Sequence, residues 1–494
     1  MKITTRHARA HRLHRLGTAV AWALLAGCTT VGPDYRPPSL DMAASWQAPL
    51  PHDGSTTSLL DWWAAFQDPT LGVLLQAAET DSPTLAQATA AIAAARASRD
   101  QAAAGAFPSV TAAAGVTRNG SINTGETGAA LPSSTLDQAG RSTVRSGAFD
   151  ASWEIDLFGA VRRSGEAASA RVQAREAQWH DARISLAAEV GSEYVTFRAC
   201  QLLAASQGAN LESLRNTATS TRIGVDNELI APAELSLANA GVANASASLR
   251  TQQAECDLST KALVALTGIH EPELRRQLAA SKPDISVPAG LDIKTIPVRL
   301  LSQRPDLVAA ERSLAAANAD IGVAEANRYP RLSLLGSISV AHTESGGGSN
   351  SSAPWSFGPS LSLPLFDGGK LRSQLESSRA GYEIARANYQ GAVRTAVREV
   401  EQSLVRLDTA GRRSDEVATA ARDYRRYLDA ATENWTAGVI NLLSLEEARR
   451  SALQAEQNAI MTRRDQVLYA IALYKALGGG WQTNDNMTVA GGSQ

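Results

Sequence analysis

A few side chains in this sequence have the type and placement that chemistry requires. The first is Cys28. It closes Leu25-Ala26-Gly27-Cys28 behind a basic segment that carries Lys2, Arg6, Arg9, Arg12 and Arg15 and no acid. A charged stretch followed by roughly 12 apolar residues is too short to span a bilayer and has the plan of a secretory signal. A small residue before Cys is what a lipoprotein signal peptidase reads: it cuts before the Cys, and the thiol is diacylated. An ordinary signal peptide with an incidental Cys is the alternative. Thr29-Thr30 lack the acid that retains lipoproteins at the inner membrane. The reading is therefore a lipid anchor on the periplasmic face of the outer membrane, with 1–27 removed. The remaining thiols, Cys200 and Cys256, can form a disulfide in an oxidising compartment.

Enzyme chemistry finds no support. Gly368-Gly369-Lys370 resembles a phosphate loop only faintly, because Pro364 stands where the first Gly belongs and Leu371 where Ser or Thr belongs. The seven His show no metal-ligand spacing, and no Gly-x-Ser-x-Gly elbow is present. No cofactor or metal is implied. A net charge of −2 gives no sign of a nucleic-acid partner.

The elements that would position these residues show two periods. Residues 29–60 are Pro-rich and irregular, and Asp61-Trp62-Trp63 leads into a short helix. Ser82-Pro83 reads as N-cap and first turn of a helix that runs to about residue 106. At Phe107-Pro108 the period becomes two, predicting strands at about 108–118 and 145–158, with a Gly/Ser/Thr loop at 118–144 between them. Each is long enough to cross an outer membrane at a tilt. Long helices follow at about 160–222 and 232–266, with apolar residues such as Val190, Tyr194 and Phe197 at coiled-coil spacing. Residues 269–304 are mixed and Pro-containing.

The plan then repeats. Arg304-Pro305-Asp306-Leu307 opens a helix 222 residues after Ser82-Pro83-Thr84-Leu85 (304 against 82). Strands are predicted at about 331–341 and 354–366 around a loop at 342–353, and long helices at about 369–435 and 442–477. The first repeat is 83–268 and the second 305–478. The flanks are the N-terminal part 28–82, the linker 269–304 and the tail 479–494. Folding the first helix pair back about residue 228 sets Cys200, 24 residues before Gly224, level with Cys256, 24 after Pro232. This geometry suits a Cys200–Cys256 disulfide; two buried free thiols are the alternative.

No stretch is long and apolar enough for a transmembrane helix, so a membrane span must be made by strands. Four strands cannot close alone, and their edges would go unsatisfied in lipid. A barrel shared by three chains would have about 12 strands.

These features resemble the TolC-like outer-membrane factor family, in its lipoprotein (NodT-type) branch that serves RND multidrug efflux. The residues that carry the resemblance are Cys28 with Val31-Gly32-Pro33-Asp34-Tyr35, Asp61-Trp62-Trp63 with Phe66 and Asp68-Pro69, Gln303-Arg304-Pro305-Asp306-Leu307, and the duplicated plan. The resemblance implies a mixed α and β membrane protein: a homotrimer with a transmembrane β-barrel of 12 strands, four per chain, continued by a long α-helical coiled-coil barrel in the periplasm. An equatorial belt would come from 28–82, 268–304 and 478–494. The implied activity is passive conduction of drugs or other small molecules. The implied partners are a periplasmic adaptor protein, an inner-membrane RND transporter and outer-membrane lipid.

By the same resemblance, the helix–turn–helix tips dock the adaptor. Here they carry Arg222, Gly224, Gly438 and Val439, each glycine serving the turn, the partner, or both. The family's entrance carboxylates fall on Ser444 and Glu447 when counted from Gly438. Ser444 is not acidic, so the ring is assigned to Glu446 or Glu447, against a merely solvated helix face. Two other readings stay open: a channel for protein secretion with an ABC-type transporter, and a coiled-coil scaffold lipoprotein that conducts nothing.

Overall fold

The computed structural model describes residues 30–38, 47–48, 62–120, 141–281, 283–286, 304–345 and 348–479. Cys28, Asp61 and Gln303 lie outside them, as does most of the tail. The helices are α1 (Pro69–Asp81), α2 (Pro83–Ala104), α3 (Ala160–Asp226), α4 (Pro232–Thr267), α5 (Glu271–Ala280), α6 (Pro305–Ala326), α7 (Lys370–Thr436) and α8 (Leu442–Ala476). The strands are β1 (Ser109–Gly120), β2 (Arg141–Ile155), β3 (Arg331–Ser345), β4 (Gly348–Ser352) and β5 (Trp355–Ser362). Among the described residues no helix is long and apolar enough to cross a membrane.

Two compact units are drawn from the described parts of the chain. The first comprises Met1–Pro38, Ile92–Ala174 and Glu311–Asn388. It holds one antiparallel sheet in the order β1-β2-β3, with β4 and β5 both paired to β3. Because side chains alternate across a sheet, the register sorts them cleanly. Phe149, Ile338 and Trp355 share one row and one face, as do Trp153 with Leu334 and Ile155 with Leu332 and Leu361. The row Thr111–Asp150–Ser337–Ser356 lies on the other face. The apolar face is solvent-exposed within the single chain: Trp355 is 77% and Phe357 71% accessible.

Two loop assignments need correction. Residues 342–353 are mostly strand, since β3 runs to Ser345 and β4 pairs with it. A Ser/Gly/Asn composition suggests a loop, but the ladder is made by the backbone, which those residues supply as well as any other. The break falls at Ala353-Pro354, where proline has no N–H to offer; the Pro354 carbonyl still accepts from Ser339 N at 3.0 Å. β4 and β5 are thus one interrupted arm, and the sheet has four arms. Likewise β2 begins at Arg141, inside the stretch read as loop. Past Ser362 the chain leaves the sheet, so Leu365 and Phe366 are not strand residues.

The second unit comprises Ser39–Ala91, Arg175–Ala310 and Tyr389–Gln494. Its main core gathers Trp62, Phe66, Leu71, Leu74, Tyr194, Leu263, Leu274, Val400, Leu404 and Ile471, each buried. Fully burying one such aliphatic side chain contributes about 2 kcal/mol. Asp68 caps α1, accepting from Thr70 N at 2.9 Å, and Ser82 caps α2, accepting from Leu85 N at 3.3 Å. The linker after α4 contains a helix not expected from its prolines: α5, whose Leu274 and Leu278 are buried. Pro272 sits in its first turn, where a missing N–H costs nothing.

The duplication keeps helix length closely, with 36 residues in α4 against 35 in α8 and no difference in the other two pairs. α2 and α6 each have 22 residues, α3 and α7 each 67. A 67-residue helix is about 100 Å long. The shift between copies is 222 residues up to the strands (305 against 83) and 210 after them (370 against 160).

Candidate functional site

The hairpin tips follow from the 210 shift. It pairs Glu228 with Gly438 and Gly224 with Asn434, so the two tip glycines are not counterparts. Glu228 (φ 60°) and Gly438 (φ 73°) both take the left-handed conformation. Leu229 N then donates to Gly224 O and Val439 N to Asn434 O, each at 2.8 Å. Gly224 is a helical residue whose missing Cβ leaves room for Ile230, since a Cβ there would lie 2.4 Å from Ile230 Cδ1. Gly438 has open space around it and is needed for its φ alone. Gly438→Ala is expected to destabilise the second hairpin by about 1 kcal/mol. Faster amide hydrogen exchange at the start of α8 would register it, and Gly438→Asn should restore most of the loss. Around the turns, Arg222, Ile223, Leu229, Val439 and Leu443 are all exposed.

At the start of α8, Asn441 is the N-cap, and its Oδ1 accepts from Ser444 N at 2.9 Å and Ser444 Oγ at 3.0 Å. Ser444 is thus occupied in closing the cap. Glu446 and Glu447 are adjacent and point apart. Glu446 is 18% exposed and ion-paired with buried Arg449, whose Nη2 also donates to Thr217 Oγ1 of α3 at 3.0 Å. That pair ties Glu446 to the packing between α3 and α8. Glu447 is exposed on the next face.

Cys200 and Cys256 are joined by a disulfide, with Cα atoms 5.5 Å apart, between α3 and α4. Gln252 Nε2 donates to Cys200 Sγ at 3.0 Å. In the chain-entropy picture, closing such a loop is worth about 4 kcal/mol. The same shift puts Ala410 and Gln466 at the matching places of the second hairpin, so only the first is covalently closed.

Two buried arginines organise the second unit. Arg304 sends Nε and Nη2 to Asp306 (3.0 and 2.7 Å), Nη2 to Glu399 on α7 (2.9 Å) and Nη1 to Ala476 O at the end of α8 (2.8 Å). It lines a cavity of about 410 Å³ with Asp181, Glu399, Arg406 and Lys475. Burial pushes the Asp181 carboxyl up, and neighbouring Asp306 adds to the rise. Arg198, 1% exposed, donates from Nε and Nη2 to Tyr194 OH (2.9 and 2.8 Å) and from Nη1 to Gln201 Oε1 (2.9 Å) and Leu278 O (3.1 Å). Tyr194 OH in turn donates to Asp68, the cap of α1. Above it Trp62 stacks on Tyr474 at 4.7 Å, and Trp63 lies over Gly191, where a Cβ would come within 2.5 Å of its ring. Among the described residues no group of acids, His and Cys could hold a metal ion.

In the first unit the segment 30–35 is stapled down. Val31 N donates to Phe158 O at 3.1 Å, just past β2. Gly32 (φ 89°) packs backbone to backbone on Gly322, where a Cβ would be 2.4 Å from Gly322 Cα. Buried Arg163 donates to Gly32 O at 3.2 Å and Asp34 at 2.8 Å, Asn318 Nδ2 to Pro33 O at 2.8 Å, and Tyr35 OH to Glu311 at 2.6 Å. Sequence reasoning named Val31–Tyr35 and Arg304 without roles and missed Arg163 and Arg198. A helical arginine on an otherwise apolar stripe was the only signal available for either.

Comparison with known proteins agrees with this geometry. The sequence pattern of the outer membrane efflux protein family matches residues 74–269 and 296–479. The chain is 31% identical over 480 residues to the solvent efflux pump outer membrane protein SrpC of Pseudomonas putida, covering 94% of this chain and 98% of that one. It is 30% identical to nodulation protein T of Rhizobium leguminosarum bv. viciae, over 94% of each. Among solved structures, the outer-membrane channel OprN superposes with a TM-score of 0.79 at 32% identity, over 92% of this chain and 99% of that one. The MtrE outer membrane channel of Neisseria gonorrhoeae, in its open state, gives 0.74 at 26%, over 92% and 99%. Duplicated hairpins, a four-armed sheet and a match that covers both repeats leave one assignment: the chain belongs to the outer membrane efflux protein family.

Proposed function

We propose that the protein is the outer-membrane exit channel of a tripartite efflux pump, conducting drugs or other small molecules passively. The observation that carries this is the sheet. One face is apolar over five successive rows, while β1 pairs only with β2, and β4 and β5 only with β3, among the described residues. Open edges are not tolerated in lipid, so the edges meet those of two further copies, giving a barrel of about 12 strands. The Ser- and Thr-rich face lines the lumen. Acylated Cys28 anchors the N-terminus at the periplasmic side. The exposed apolar residues at the tips, Ile223, Leu229, Val439 and Leu443, dock a periplasmic adaptor, which joins the channel to an inner-membrane RND transporter. The protein does no covalent chemistry.

Glu447, one from each chain, rings the periplasmic entrance and favours cations. Purified protein should migrate as a heat-modifiable trimer and conduct in planar bilayers. Glu447→Ala should raise single-channel conductance and reduce cation preference, and Glu446→Ala should leave preference unchanged. A trimer without conductance would return the scaffold reading. Conductance indifferent to Glu447 would remove the ring.

A further inference from the structure

The lipid-facing side of the sheet does not stay apolar to its end. From Ile155–Leu332–Leu361, successive rows on that face run through Trp153–Leu334, Ala151–Gly336–Phe357 and Phe149–Ile338–Trp355 to Gly147–Val340. None carries a charge. The next row is Val116–Arg145–His342–Ser351, then Arg118–Thr143–Glu344–Ser349, then Gly120–Arg141. Among the described residues three arginines and a histidine thus share one face with a single acid, Glu344, which lies 2.6 Å from Arg145 and 3.5 Å from His342.

Solubility alone does not explain this placement. At the same height the opposite face holds Thr117–Val144–Thr343–Asn350 and Asn119–Ser142–Ser345–Gly348, with no charge at all. A collar meant only for water would distribute its charges over both faces. The height also has meaning. From the Leu332 row to the His342 row is about 26 Å at 3.4 Å per residue and a tilt near 40°, which matches the apolar band of an outer-membrane barrel. The collar therefore sits at headgroup depth. It lies at the end of the sheet away from Phe158 and the stapled segment 30–35, hence in the outer leaflet.

We propose that Arg118, Arg141 and Arg145, with His342, form a binding site for the phosphate groups of the acylated, phosphorylated glycolipid of the outer leaflet. The acyl chains would lie along the Phe149–Ile338–Trp355 rows while the guanidinium groups take the phosphates. This rests on the channel reading, since it needs the strands to lie in the outer membrane.

The test uses the full-length detergent-purified trimer and a bis-phosphorylated acylated disaccharide, with bound lipid counted by native mass spectrometry. Arg118→Gln with Arg145→Gln should weaken binding roughly 30-fold, near the product expected for two basic residues at a membrane surface, and the paired Arg→Lys variant should recover most of it. The dephosphorylated glycolipid should bind wild type as weakly as the phosphorylated one binds the Gln variant. Inorganic phosphate at equal concentration should not compete. Equal binding of the two glycolipids, no loss in the Gln variant, no recovery with Lys, or full competition by inorganic phosphate would each overturn the proposal. Should the Gln variant not assemble, the comparison of the two glycolipids on wild type still decides it. Conductance of wild type in planar bilayers is read separately, so failure of the channel reading is distinguishable from failure of the site.

Discussion

Arg304→Ala lowers the stability of the helical unit by about 3 kcal/mol. The guanidinium joins three elements: Asp306 at the start of α6, Glu399 on α7 and the last carbonyls of α8 through Ala476 O. Removing it leaves two carboxylates facing one another across the cavity that also holds Asp181. The figure sits at the lower end for a broken buried pair, because Asp306 and Glu399 are 33% and 43% exposed and water screens them. Arg304→Lys should recover less than half, since an ammonium cannot serve Asp306, Glu399 and the carbonyl in one fork. Denaturant unfolding of the purified protein measures the loss. Hydrogen exchange at the end of α8 locates it. A loss below about 1 kcal/mol would show that the arginine is a surface ornament of the cavity.

Arg198→Ala should cost more, about 4 kcal/mol, because it combines a cavity with stranded partners. Arg198 is almost fully buried, and its loss unpairs Tyr194, Leu278 O and Ser281 together. The same network carries a pH signature. Burial, and after it the hydrogen bond to Asp68, pushes the Tyr194 phenol up to about 12. An unfolded tyrosine titrates near pH 10. The folded state thus holds the proton more tightly, so the contribution is whole below about pH 10 and is lost as pH climbs towards 12. It amounts to about 2–3 kcal/mol. Wild-type stability should fall across that window, while Tyr194→Phe, already weaker, should fall less. Parallel curves would sink the assignment.

What could be read from sequence follows the physics of periodicity. Alternation at Phe149–Ile155 and 4–3 spacing at Val190–Phe197 are properties of single segments, so strands and long helices are visible before any fold is known. β4 was invisible because its ladder is made by backbone groups, which its Ser, Gly and Asn residues supply without an alternating pattern. α5 was hidden by a proline whose position in the first turn cannot be told from one that ends a helix. The tips were marked by their glycines, when the quantity repeated is a left-handed φ that Glu228 adopts as well as Gly438. The roles of Arg163, Arg198 and Arg304 were out of reach for another reason. Each takes deciding partners from segments remote in sequence, Glu399 and Ala476 for Arg304, Leu278 for Arg198, Gly32 and Asp34 for Arg163, and an arginine on an apolar stripe does not say which.

The change of shift from 222 to 210 has a bearing on how such a protein ages and how it can be altered. One residue added inside α3 or α7 would turn everything beyond it by about 100° and misplace every later contact. A residue added between Gly120 and Arg141 displaces nothing downstream. Since the two halves parted, length has drifted only where drift has no mechanical consequence. That hairpin is where a peptide tag, a protease site or a reporter can be spliced in while the rest of the chain keeps its phase.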